Sequence, residues 1–124
     1  MNVHFSSITD NWNTPKDFYE GLNEEFNFDF DPCPQDPTFD GLIIDWGKSN
    51  FVNPPYSQIT KWIEKGWRES RRGKVVVMLI PSRTDTRWWH NYCMRAREIR
   101  FIKGRLKFSG YKNSAPFPSA IIIF

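Results

Sequence analysis

Along the chain the spacing of apolar residues changes from helical to alternating several times, and each change predicts an element. Phe18, Tyr19, Leu22 and Phe26 recur at helical spacing, which predicts a helix over about residues 15–25. Thr14 reads as its N-cap, Pro15 as its first residue and Asp17 as a first-turn acid favoured by the helix dipole. Phe28-Asp29-Phe30-Asp31 then alternates apolar and polar, a strand that ends at Pro32. Leu42-Ile43-Ile44-Asp45-Trp46 reads as a short buried strand with a polar exit, and Phe51-Val52 as the strand that delivers Asn53. Ser57 reads as the cap of a second helix with Ile59, Trp62, Ile63 and Trp67 on its apolar face and Gly73 as its stop. The run from Lys74 to Ile80 is nearly all apolar, the pattern of a strand buried on both faces within a parallel sheet. Thr84 or Asp85 is expected to cap a helix reaching about Met94, with at least one of Trp88 and Trp89 in the core. Residues 98–102 alternate as a strand, 103–105 form a turn, 109–117 a mobile loop and 119–124 a closing buried strand. Residues 1–11 lack periodicity and read as a loop or loose arm.

Composition narrows the class. At 124 residues the chain predicts a single domain, 1–124, with no room for a separate recognition domain. A hydrophobic content of 40%, with 17% aromatics, argues against disorder. No apolar run approaches the roughly 18 residues of a membrane span, and the N-terminus lacks a signal-peptide pattern, so a cytoplasmic protein without membrane contact is expected. Cys33 and Cys93 are expected to stay reduced, and no histidine or cysteine has metal-ligand spacing.

Charge is unevenly spread. Residues 1–57 hold ten carboxylates and two lysines, a net −8, whereas 58–124 hold fifteen basic and four acidic side chains, a net +11. An acidic half suits a ligand bearing ammonium and sulfonium charges, and a basic half suits phosphates, unless the halves interleave into mixed surface pairs.

The stretch with the most chemistry is Asn53-Pro54-Pro55-Tyr56. Two prolines stiffen the backbone, so the Asn53 carboxamide oxygen and the Pro54 carbonyl are presented side by side as acceptors. An exocyclic amino group has two N–H donors to match them. Tyr56 adds a π-face, and stacking on a base is worth roughly 1–3 kcal/mol. Such a site grips a planar ring that carries an amino group. In doubly wound sheets ligands sit beyond the carboxyl ends of strands, which is where Asp31-Pro32-Cys33-Pro34 falls.

These residues resemble a known family. Asn53-Pro54-Pro55-Tyr56 is similar to the catalytic tetrapeptide of S-adenosylmethionine-dependent amino-methyltransferases. With Trp12-Asn13-Thr14-Pro15, Asp29-Phe30-Asp31-Pro32-Cys33, Ile80 to Trp88, Gly104 to Phe108 and Phe117-Pro118-Ser119-Ala120, the ordered set resembles the phage DNA N6-adenine methyltransferases over nearly the whole chain. The resemblance implies an α/β, reduced Rossmann-like methyltransferase fold. Its central sheet is expected to be mostly parallel, with helices on both faces and an antiparallel C-terminal strand. It implies S-adenosyl-L-methionine as cofactor, held by Trp12, Thr14, Pro15, Asp31, Pro32, Cys33 and Asp45. No Gly-x-Gly loop follows the first strand, a departure from the general methyltransferase pattern.

The implied reaction is direct transfer of a methyl group to adenine N6, with Asn53, Pro54, Pro55 and Tyr56 catalytic and no cysteine nucleophile. The adenine is flipped from a duplex or already single-stranded. Arg83, Arg87, Arg105 and Lys107 are the expected nucleic-acid contacts. A phage-encoded protein of this kind works in the host cytoplasm, and a homodimer is left open. On the tetrapeptide alone, methylation of RNA amino groups or of a protein glutamine amide stays open, as does a non-catalytic nucleic-acid-binding remnant.

Overall fold

The computed structural model describes residues 13–110 and 113–124. The expected arm and Trp12 lie outside the described residues, as do Tyr111 and Lys112 of the loop before the last strand. In order, the elements are α1 (Lys16–Phe26), β1 (Ser49–Val52), α2 (Ile59–Arg71), β2 (Val75–Pro81), α3 (Arg87–Asn91), β3 (Glu98–Phe101) and β4 (Ser119–Ile123).

The strands form one sheet in the order β1-β2-β4-β3. β1 pairs parallel with β2, and β4 runs antiparallel to both of its neighbours. The expected mostly parallel sheet is therefore mixed: β1, β2 and β3 point one way, but β4 is inserted among them and makes two of the three ladders antiparallel. The C-terminal strand takes this position because all five of its residues are buried, a pattern suited to the middle of a sheet.

β2 shows how the sheet divides the core. Val76, Met78 and Ile80 face one side, where they pack with Trp62 and Ile63 of α2 and Trp88 and Trp89 of α3. Val77 and Leu79 face the other, with Leu22 of α1, Phe51 and Phe108. Helices thus cover both faces, and both tryptophans of the Trp88-Trp89 pair are buried. Gly66 lets α2 lie close to the sheet, since a Cβ there would sit 2.8 Å from Met78 Sδ.

Two expected strands are not formed. Residues 28–31 give a single parallel bridge, Phe30 to Asn50, because the Asp29 carboxylate turns away to accept N–H bonds from Lys48 and Ser49. Residues 42–46 form no strand: 41–43 are a turn and 44 a bend. Asp40 accepts the Leu42 N–H through its side chain, and the Ile43 and Ile44 N–H groups through its carbonyl, which curls the segment and leaves Ile43 exposed. Two caps also move. Gln58, after a 3-10 turn at Tyr56–Gln58, precedes α2 in place of Ser57. Thr86 caps α3 by accepting from the Trp89 N–H at 3.3 Å. Among the described residues no helix is long and apolar enough to cross a membrane.

Candidate active site

The carboxyl ends of β1 and β2 and the start of β4 lie together at one edge of the sheet, and the chemically interesting segments gather there. β1 runs straight into Asn53. Pro54 is buried, and Pro55 leads into the 3-10 turn that carries Tyr56. The exit of β2 is held beside the approach to β4, with the Ser82 N–H donating to the Pro118 carbonyl at 2.9 Å. Phe117, just upstream, meets the Tyr56 ring edge-on at 5.2 Å and is itself 6.2 Å from Phe108. The Tyr56 ring is therefore positioned by an aromatic chain from the far end of the sequence. Burial pushes the Tyr56 hydroxyl well above the ordinary phenol range, opposed by the charge of Arg83 nearby.

Thr14 departs from its expected role. Pro15 occupies the cap position of α1 with no side-chain cap bond, and Thr14 Oγ1 instead accepts from Asn53 Nδ2 at 3.0 Å. This bond fixes the carboxamide: with the nitrogen engaged by Thr14, Oδ1 is the atom of Asn53 that can accept an amino proton.

In front of Asn53 opens a cavity of about 460 Å³. Thr14, Asp31, Cys33 and Asn53 line it together, from three segments separated in sequence. Its other walls are Asn13, Lys16, Tyr19, Pro34, Gln35 and Phe51. Lys16 and Tyr19 were not singled out by the sequence, because three residues apart on a helix they read simply as its surface and its core face. Gln35 is hidden in the same way within a proline-rich turn.

The electrostatics of the cavity centre on Asp31. Its carboxylate accepts the Cys33 N–H at 2.9 Å, yet surrounding protein raises its pKa by desolvation. Burial also raises the Tyr19 hydroxyl, and the Asp31 charge adds to it. The Cys33 thiol is pushed up to about 12, first by burial and then by Asp31, so it is a poor nucleophile at neutral pH. Cys93 is buried in the core, its thiol likewise pushed up to about 12 by burial. Among the described residues no group of His, Cys, Asp and Glu could hold a metal ion.

Pro32 is buried, and its carbonyl packs so tightly on Gly41 that a Cβ there would overlap the oxygen. With Cys33, Pro34, Pro37, Phe39 and Trp62 it borders a second, largely apolar cavity of about 230 Å³ that shares Cys33 and Pro34 with the first.

Asp45 does not join the site. It lies exposed before β1, at the opposite end of that strand from Asn53, and pairs with Arg72 at 2.8 Å. Arg72 holds its carboxyl below the ordinary aspartate range. The turn set by Asp40 is the reason: a strand over 42–46 would have carried Asp45 differently. Arg83 reaches the tetrapeptide side, and Arg87 opens α3 in an exposed position. Arg105 and Lys107 are exposed on the segment after β3, whose Leu106 and Phe108 anchor it to the core on the α1 side.

Comparison with known proteins is consistent with this arrangement. A family model described as DNA N-6-adenine-methyltransferase (Dam) matches residues 4–120. Among curated proteins, a DNA N-6-adenine-methyltransferase of Haemophilus phage HP1 (strain HP1c1) is 30% identical over 110 residues, covering 77% of this chain and 64% of the relative. A protein of the same name from Escherichia phage T1 is 24% identical over 113 residues, covering 81% of this chain and 48% of the relative. The chain thus spans about half to two thirds of the length of these relatives. No solved structure matches it.

Proposed function

Because the chain belongs to the DNA N-6-adenine-methyltransferase (Dam) family, we propose that it transfers a methyl group from S-adenosylmethionine to the N6 amino group of adenine in DNA. The observation that carries this reading is the convergence of Thr14, Asp31 and Asn53 on one cavity beside Tyr56.

The cavity's chemistry suits the cofactor. Its volume of about 460 Å³ falls within the usual range for small-molecule sites. Lys16 offers an ammonium for the carboxylate of the methionine part, and Asp31 a carboxylate for its amino group or for ribose hydroxyls. Tyr19 and Phe51 provide apolar walls. The adjoining cavity between Phe39 and Trp62 takes the purine, a role for which Asp45 lies at the wrong end of β1. Bound S-adenosylmethionine supplies a methyl group on an electrophilic sulfonium.

The protein's own part is to prepare the amine. The N6 lone pair is delocalised into the adenine ring, which makes it a weak nucleophile. Asn53 Oδ1 accepts a hydrogen bond from one amino N–H and the Pro54 carbonyl from the other, drawing the nitrogen towards sp³ geometry and aiming its lone pair into the cavity. As the N–C bond forms the S–C bond breaks, S-adenosylhomocysteine leaves, and the methylated nitrogen releases its surplus proton to water. Positioning and fixed dipoles of this kind are the main sources of rate. The Tyr56 ring stacks on the base, and a contact worth roughly 1–3 kcal/mol offsets much of the unstacking cost of extracting it. Neither Cys33 nor Cys93 takes part. The substrate is DNA with the adenine flipped out or single-stranded, contacted by Arg83, Arg87, Arg105 and Lys107, in the host cytoplasm.

The strand arrangement supports a reduced Rossmann-like reading. Three strands point one way, Asn53 follows the carboxyl end of β1, where such sheets bind ligands, and Asp31 follows the single parallel bridge of Phe30 to Asn50. Incubation with methyl-labelled cofactor and plasmid DNA, RNA or a protein lysate tests the function. Label is expected as N6-methyladenine in DNA. Label confined to RNA or to protein glutamine overturns the DNA assignment, and calorimetry showing no cofactor binding by folded protein overturns any methyltransferase reading.

A further inference from the structure

A second concave site lies at the edge of the sheet opposite to Asn53. Its volume is about 270 Å³, and it is bordered by Trp67 and Arg71 of α2, Lys74 before β2, Arg95 and Arg97 before β3, and Phe124. The Arg71 and Arg95 guanidiniums lie 5.9 and 5.4 Å from the centre of the Trp67 ring, so one half-buried indole organises two cations. Arg71, Arg95 and Arg97 are all exposed. Among the described residues none of the three pairs with a carboxylate, whereas Arg72, Lys65 and Lys74 close by are all engaged by acids. No acidic side chain borders the cavity. Three guanidiniums without an ion-paired carboxylate side chain thus gather around one concavity, an arrangement that suits an anion placed among them.

The surroundings indicate which anion. The segment between β2 and β3 starts at the catalytic edge, because Pro81 pairs with Ser119, and ends at the opposite edge, because Glu98 pairs with Ile123. It carries exposed Arg83 and Arg87 near its start and Arg95 and Arg97 near its end. Cations thus run from beside Tyr56 to the Trp67 pocket. The seven residues of β2 separate the two ends by roughly 20 Å at about 3.3 Å per residue. Successive phosphates of one DNA strand advance about 3.4 Å, so this span corresponds to roughly six nucleotides of duplex.

We propose that the pocket formed by Trp67, Arg71, Arg95 and Arg97 is a phosphate-binding anchor for the DNA backbone, engaged about six nucleotides from the adenine held at Asn53 and Tyr56. The proposal rests on DNA being the substrate. Its function is affinity and register rather than chemistry, since nothing in the pocket approaches the catalytic loop. Such an anchor fixes how the duplex lies while the base is extracted.

The test is DNA binding by fluorescence anisotropy at several salt concentrations, with full-length protein carrying Arg71→Gln, Arg95→Gln and Arg97→Gln together, and separately Arg97→Gln alone. Each lost phosphate contact should lower the slope of log affinity against log salt by about 1, so the triple variant should lose about 2 to 3. Affinity at low salt should fall at least about tenfold in the triple variant, and KM for DNA should rise with it while kcat at saturating DNA stays within about twofold. Arg97→Gln alone, at an exposed position, supplies the answer if the triple variant melts early. Unchanged slope and affinity in Arg97→Gln and in a folded triple variant overturn the anchor, including the outcome in which the pocket instead takes an acidic protein. Wild-type protein that binds no DNA is a different result, which overturns the substrate assignment itself.

Discussion

Thr14 Oγ1 accepts the Asn53 carboxamide N–H at 3.0 Å across 39 residues of sequence, tying the entrance of α1 to the Asn-Pro-Pro-Tyr loop. The bond decides which end of the carboxamide faces an incoming amine. Thr14→Val keeps the shape and removes the acceptor, so the amide loses its preferred orientation. A net hydrogen bond is worth about 1 kcal/mol, so methyl transfer should fall about fivefold to tenfold. Thr14→Ser should retain most of the rate. Equal rates in Thr14→Val and wild type, measured by label transfer to DNA, would remove Thr14 from the mechanism.

Tyr56 acts through its ring in this reading, and its hydroxyl is kept neutral by burial. Tyr56→Phe should therefore keep methyl transfer within about fivefold, the scale of one hydrogen bond. Tyr56→Ala should abolish it. Phe117→Leu removes the edge-on partner at 5.2 Å and should cost about 0.5–1.5 kcal/mol of base positioning, read as a rise in KM for DNA.

Asp31 separates cofactor binding from stability. Its folded pKa is raised by desolvation, so the native state binds a proton more readily than the unfolded chain does, and the group's contribution to stability grows as pH falls and is lost as pH rises through the raised pKa. At neutral pH the ionised form is a burden, and Asp31→Asn should leave the melting temperature unchanged or raised. On the proposed cofactor site the same variant gives up a charged acceptor, so calorimetry should show affinity for S-adenosylmethionine down about tenfold to a hundredfold. A variant that melts lower and binds normally would contradict both halves.

Glu69 behaves in the opposite sense. Burial raises its pKa, but bonds from Lys74, Lys65 and the Trp46 N–H outweigh this and bring it to about 2. Its stabilisation is complete above its ordinary value of 4.5 and is lost as pH falls from there towards 2. Glu69→Gln leaves two cations without their acid and should cost about 3 kcal/mol at neutral pH, with the difference from wild type shrinking in acid. Urea titrations at neutral and acidic pH check this.

How far the sequence carried these conclusions depends on the range of the forces involved. β2 was readable because an apolar strand flanked on both sides is an almost local signal. The tetrapeptide was readable because its stiffness and its acceptors are covalent properties. Thr14 reads locally as a helix cap, and by resemblance as a cofactor residue, but its bond to Asn53 is not legible because a partner 39 residues away leaves no periodic trace. Residues 42–46 were read as a strand because three adjacent aliphatics look the same whether or not an upstream aspartate curls them. Asp45 was misplaced with them. Lys16 and Tyr19 became recognisable only when α1 was seen to open onto Asp31.

The insertion of β4 between β2 and β3 also constrains how the molecule assembles. Among the described residues β3 pairs with no strand but β4, so it joins the sheet only once β4 lies alongside β2. Phe117 and Pro118, which brace Tyr56 and the exit of β2, arrive with that same segment. Long-range pairing of this kind slows folding. It also couples the Asn-Pro-Pro-Tyr loop to the completed sheet, because the ring that braces Tyr56 and the strand that holds β3 belong to one continuous segment.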